Sequence, residues 1–138
     1  MSANGIRVKG HSMSKEVADD FVEALWKLEE EEDVEPLVRV HTEDCEVGNV
    51  SVSKTFNGHD GLREFWKEYR GTFGEMKSEF RNVIADEDRA ALEWTTRGTS
   101  NGDSVSYSGV SILEIEGDKV RRFMAYFDTR RLTHQVVD

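Results

Sequence analysis

The chain is poor in the residues that would point to several large classes of protein. One cysteine excludes a disulfide within the chain, and one proline suits an ordered domain. Basic residues are scarce: 18 Lys and Arg stand against 28 Asp and Glu, a net charge of −10. That balance repels phosphate backbones and anionic lipid surfaces, so neither nucleic acid nor a membrane is an expected partner. No segment approaches the length and apolarity of a membrane span. Residues 1–12 include Arg7, Lys9 and His11 but no apolar run, so they read as a flexible arm rather than a signal peptide, and the expected location is cytoplasmic. Met13 stands just ahead of the first helical pattern as an alternative start. Neither a glycine-rich phosphate loop nor a nucleophile elbow is present, which removes the nucleotide triphosphate and serine-hydrolase readings. His11, His41, His59, His134 and Cys45 fall at no zinc or non-haem iron spacing, so no metal and no cofactor are expected.

At 138 residues, one domain over 13–138 can bury a real core and a pocket. Ser14 is a good N-cap for a helix in which Val17, Phe21, Val22, Leu25 and Leu28 recur at three- and four-residue spacing. The acidic run Glu29 to Asp33 reads as its solvated end. A second, short helix follows, with Asp33 as cap and Pro36 in its first turn, ending near His41. Cys45 to Val52 is a short strand, and Asp60 caps a third helix carrying Leu62, Phe65, Trp66 and Tyr69. From Met76 the period changes to two. Strands are expected over 76–85, 89–99, 104–115 and 119–128, joined by Asp86-Glu87-Asp88, Asn101-Gly102 and Glu116-Gly117-Asp118. The fold class is α+β in two layers, with three N-terminal helices burying their apolar stripes on an antiparallel meander.

The last strand holds the clearest candidate for chemistry. Alternation puts Met124, Tyr126 and Asp128 on one face and Phe123, Ala125 and Phe127 on the other. An acid among bulky apolar groups is either held by partners or has its pKa raised by desolvation, which would make it a proton-transfer group. The bland alternative is that Asp128 caps whatever begins at Thr129. Tyr107 shares a face with Val105, Gly109 and Ser111 on the neighbouring strand.

The order of elements and three motifs resemble the nuclear transport factor 2-like superfamily, and within it the SnoaL-like polyketide cyclase group. The motifs are Gly58-His59-Asp60-Gly61-Leu62-Arg63-Glu64-Phe65-Trp66, similar to the family's G-x-x-x-I-x-x-F-W entry to helix three; Ala91-Leu92-Glu93-Trp94; and Gly117-Asp118-Lys119-Val120 through Tyr126-Phe127-Asp128. The resemblance spans roughly residues 14–135. It implies a strongly curved sheet wrapped as a cone around the helices (cystatin-like, nuclear transport factor 2-like), a mostly apolar interior pocket, and Asp128 in the place of an aspartate that acts as general acid and base in a cofactor-free aldol ring closure. Relatives with other chemistry resemble the chain less. The positions aligned with a ketosteroid isomerase's tyrosine and two aspartates hold Phe21, Asn49 and Ser111. The arginine and aspartate of a limonene-epoxide-hydrolase-like site fall on Trp94 and Thr96, and the histidine pair of a scytalone-dehydratase-like site is missing.

These observations suggest a pocket protein for a small apolar or carbonyl-containing ligand, with proton abstraction next to a carbonyl as its chemistry. Asp128 is the expected base and acid. Tyr126, Tyr107, Asn49 and His41 are the candidates to orient substrate or stabilise an enolate, and Phe56, Trp66, Trp94 and Met124 are expected to shape an apolar wall. His41 has a plainer reading as a helix-end residue whose charged form the dipole favours. The rival function is a non-catalytic ligand-binding or protein-interaction module on the same scaffold. A homodimer through the outer sheet face is expected in either case, because Leu92, Val110 and Ile112 do not all fit one helix-covered interior.

Overall fold

The computed structural model describes residues 9–129. In chain order the elements are α1 (Lys9–Glu31), α2 (Glu35–Arg39), β1 (His41–Asn49), β2 (Phe56–Asn57), α3 (Gly58–Gly71), β3 (Met76–Ala85), β4 (Arg89–Ser100), β5 (Asp103–Glu116) and β6 (Lys119–Phe127). The expected arm over 1–12 lies outside the described residues except for 9–12, which are helical; whatever element begins at Thr129 lies outside them beyond that residue. No described helix is long and apolar enough to cross a membrane.

Helix α1 starts upstream of the cap expected at Ser14. That side chain is buried inside the helix, where its hydroxyl donates to the Glu87 carbonyl at 2.7 Å and ties α1 to the β3–β4 turn. Val34 rather than Asp33 is the N-cap of α2; Asp33 stands one residue earlier, its carboxylate accepting the Glu35 N–H at 3.1 Å, and Pro36 occupies the first turn where a missing N–H costs nothing. Helix α3 begins at Gly58 rather than at an Asp60 cap. Asp60 lies inside its first turn, pairing with Arg63 at 3.1 Å.

The six strands form one curved sheet in the order β2-β1-β6-β5-β4-β3. The predicted meander β3 to β6 is antiparallel throughout, and β1 adds to its end in parallel with β6. Asn101 and Gly102 have φ of 54° and 85°, the positive pair that a tight I′ hairpin requires. Extra residues break the register between Phe80 and Asn82 in β3 and opposite the Glu114 to Ile115 step in β5. Such bulges add bend and twist, which helps the sheet curl around the helices.

The core lies between the concave face and the helices. Phe21, Leu25 and Leu28 of α1 and Leu62, Phe65 and Trp66 of α3 meet Leu92, Trp94, Leu113, Val120 and Phe123 of the sheet. Leu92 is fully buried there and takes no part in an outer face, correcting its place in the dimer argument. Val110 and Ile112 do face outward, beside an exposed Ile84.

Candidate functional site

Inside the cone a narrow cavity of about 30 Å³ is bounded by α1, α3 and the concave face. It has room for only one or two water molecules, taking about 15 Å³ of such space for each. Most of its wall is aromatic or aliphatic: Phe21, Phe65, Trp66, Trp94, Phe123 and Phe127. Into this apolar wall are set Glu29, Ser78, Thr96, Asn49 and Ser111, all buried.

Glu29 has the most unusual surroundings of these. It is 2% exposed, because the last turns of α1 lie against β3 and the four-residue spacing Phe21, Leu25, Glu29 keeps it on the helix's apolar stripe. Its carboxylate accepts the Ser78 N–H at 3.0 Å and the Ser78 hydroxyl at 2.5 Å, and that hydroxyl is in turn 2.6 Å from Thr96 Oγ1. Burial pushes the Glu29 pKa up; the two Ser78 bonds and the charges of Lys77 and Arg70 pull the other way without overcoming it. Arg70, itself buried, donates to the carbonyls of Glu29, Phe73 and Gly74 and so fixes the end of α1 against the end of α3.

A second polar pair lies close by. The hydroxyls of Tyr69 and Tyr107 are hydrogen-bonded to each other. Burial, with the neighbouring Glu29 charge adding to it, raises both: Tyr69 well above the usual phenol value and Tyr107 to about 12. Both are neutral donors or acceptors at pH 7.

The structure separates the residues singled out from the sequence. Asn49, Trp66 and Trp94 line the cavity. Asn49 ends β1 with its side-chain oxygen engaged by the Ser51 N–H and hydroxyl at 2.8 and 2.7 Å, which leaves its NH₂ as the end free of Ser51. Trp94 donates from Nε1 to Ser111 Oγ at 2.9 Å. Tyr107 lies behind this wall, edge-on to Trp94 at 5.2 Å, and Phe56 packs on Phe65 at 5.5 Å. His41 is buried beside Phe21, outside the cavity lining; its Nδ1–H donates to the Leu37 carbonyl at 2.7 Å. Burial depresses its pKa to about 4, so it is neutral, against the charged form expected for a helix end.

Met124 and Tyr126 lie on the opposite side of the sheet from the cavity. Phe123, Ala125 and Phe127 are the inward set, and Tyr126, 43% exposed, borders an outer groove of about 450 Å³ with Val110 and Ile84. The pocket-facing role expected of Met124 and Tyr126 is therefore corrected. Asp128 follows Phe127 and is exposed, so the desolvated setting expected from its neighbours is not what it has. Gly109 makes room for protein rather than ligand: a Cβ there would lie 2.4 Å from the Tyr126 carbonyl oxygen and 2.7 Å from Trp94.

Glu29, Ser78, Thr96 and Tyr69 were not among the sequence candidates. The four-residue spacing on α1 and the alternation Met76, Ser78, Phe80 were the available signals for two of them.

The architecture recurs in solved structures of low identity. A protein from a Jannaschia species, provisionally assigned as a SnoaL-like polyketide cyclase, superposes with a TM-score of 0.82 at 13% identity over 94% of this chain and 95% of its own. An NTF2-like protein from Anabaena variabilis gives 0.80 at 16% identity, covering 90% and 96%. The LEH-like epoxide hydrolase of M. tuberculosis gives 0.74 at 14%, covering 94% and 92%. Identities this low establish the fold and leave activity to the site. Among curated proteins none matches the sequence. The profile of the SnoaL-like domain family matches residues 18–123, most of the described chain, and the protein belongs to that family.

Proposed function

We propose that this chain binds a small, largely apolar ligand in the cone and that the buried Glu29 carboxyl moves a proton on it, next to a carbonyl. The observation that carries this reading is a carboxyl lining an apolar cavity with its pKa raised by burial. In its ionised form Glu29 keeps lone pairs beyond those accepting the two Ser78 bonds. One of them takes the proton as the ligand's C–H bond breaks, and the electron pair moves to the carbonyl oxygen as an enolate. Returning that proton to another atom is an isomerisation; letting the enolate carbon attack a second carbonyl first is an aldol closure. Either way the cycle ends with no net change in oxidation state. The NH₂ of Asn49 is available to the developing oxyanion.

The cavity has to widen. A benzene-sized ligand needs about 150 Å³; Tyr69, Phe80 and Phe127 are the half-buried members of the lining, and with Tyr69 held by its bond to Tyr107 the two phenylalanines are the side chains that give way.

The test is solvent-deuterium exchange at carbon in small cyclic ketones, followed by NMR, for the wild type, Glu29→Gln and Asp128→Asn. Loss of a general base should lower exchange by about 100-fold or more in Glu29→Gln, with Asp128→Asn within about twofold of wild type. The reverse pattern would return the role to Asp128, the residue to which the family motif points. Ligand binding with no exchange in any protein would favour the non-catalytic module.

A further inference from the structure

Trp66 is the one tryptophan of three whose indole N–H has no hydrogen-bond partner among the described residues. Trp26 donates to the Ser78 carbonyl and Trp94 to Ser111 Oγ, each at 2.9 Å. Trp66 is 3% exposed, so water in bulk does not satisfy it either. Buried donors are nearly always paired, and an unpaired one destabilises the free protein.

The ring has no freedom to seek another partner. Phe65 stands edge-on to it at 5.1 Å and Tyr69 at 5.7 Å, and Phe123 lies 5.0 Å away. The faces of these rings accept a hydrogen bond far more weakly than oxygen does, and the Tyr69 hydroxyl is engaged with Tyr107. Trp66 lines the same cavity as Glu29. An acceptor from outside the chain would reach the ring by way of that cavity.

We infer that Trp66 Nε1–H anchors a neutral acceptor oxygen, of the carbonyl type, on the ligand of this cavity. The inference rests on the reading that the cavity admits a ligand. An indole N–H only donates, so a ligand hydroxyl meets it solely through its lone pairs. A carboxylate ligand would bring a second negative charge into an apolar space already holding Glu29, which burial penalises. An otherwise apolar body fits the aromatic lining. Trp66 is in this sense a positioning and specificity residue: it fixes where the oxygen lies, and so which carbon is turned toward Glu29.

The experiment is a ¹H–¹⁵N titration of the whole chain with 1-indanone and with indane, its hydrocarbon counterpart, watching the three indole signals. The expected result is that 1-indanone moves the Trp66 indole proton downfield while indane leaves it nearly unmoved, with Trp26 and Trp94 steady under both. In Trp66→Phe, 1-indanone affinity should fall about three- to tenfold while indane affinity stays within about twofold. Should that variant not fold, the two titrations of the wild type decide alone. If both ligands bind and affect the Trp66 signal alike, the anchor is overturned and the ligand-binding cavity stands. If neither ligand perturbs any residue of the cavity, both readings fall together.

Discussion

His41 yields a pH dependence whose size follows from its burial. It is 1% exposed, donates from Nδ1 to the Leu37 carbonyl, and leaves Nε2 without a partner among the described residues. Charging the ring would bring a cation into the core, so its pKa falls from 6.5 to about 4. Between those two values the unfolded chain holds a proton that the native chain does not, and stability therefore falls as pH drops through that window. The stabilisation is fully present above pH 6.5 and is lost as pH descends toward 4. At about 1.4 kcal/mol per pH unit the span amounts to about 3 kcal/mol. His41→Asn keeps an amide N–H for Leu37 and does not titrate, so its cost from lost volume is the same at every pH. Urea unfolding followed by tryptophan fluorescence, at steps from pH 7 to 4, should show the wild type losing about 3 kcal/mol relative to the variant. Carboxylate titrations are common to both proteins and cancel. Stability curves that run parallel with pH would refute the buried neutral imidazole.

Two further substitutions test what holds the site in place. Gly109→Ala puts a methyl 2.4 Å from the Tyr126 carbonyl oxygen and 2.7 Å from the Trp94 ring, and should cost about 1–3 kcal/mol in urea unfolding while shifting tryptophan emission; an unchanged emission and stability would mean the strands separate freely there. Arg70→Met removes the donor to the carbonyls of Glu29, Phe73 and Gly74 and should cost about 3 kcal/mol. A loss below about 1 kcal/mol would show that water replaces the guanidinium without penalty.

The architecture was legible because its signals are local. Asn101-Gly102 can hardly be anything but a hairpin, and the change of hydrophobic period at Met76 separates the helical layer from the sheet. The site was harder to read for two physical reasons. Alternation along β6 divides its residues into two sets without saying which faces the helices. The bulge opposite Glu114, which places both Val120 and Phe123 inward, depends on the partner strand. Glu29 opens a run of acids, and such runs are usually solvated. Only the packing of α1 on β3 sets this one apart, turning Glu29 inward while Glu30 and Glu31 stay exposed. Ser78 and Thr96 were invisible for a similar reason, being unremarkable hydroxyls until the register of β3 on β4 placed them opposite each other.

Imperfect burial of a polar group does not by itself mark function, as the unpartnered Nε2 of His41 shows away from the cavity. Convergence is the stronger criterion. Glu29 with its Ser78 and Thr96 chain, Asn49 and Trp66 come from α1, β1, α3, β3 and β4, yet all line one space. A core selected only for stability would fill that space with hydrocarbon, since a buried carboxyl is costly and an unpaired indole N–H adds to the cost. The exposed Asp128 bears no such cost where it stands. A neutral isostere at Glu29 therefore tests that cost without any substrate. Because burial raises the Glu29 pKa, native Glu29 holds its proton to higher pH than unfolded Glu29 does, and the wild type loses stability as pH rises above 4.5 through that interval. Glu29→Gln escapes that loss, so the site pays in stability for the chemistry proposed for it.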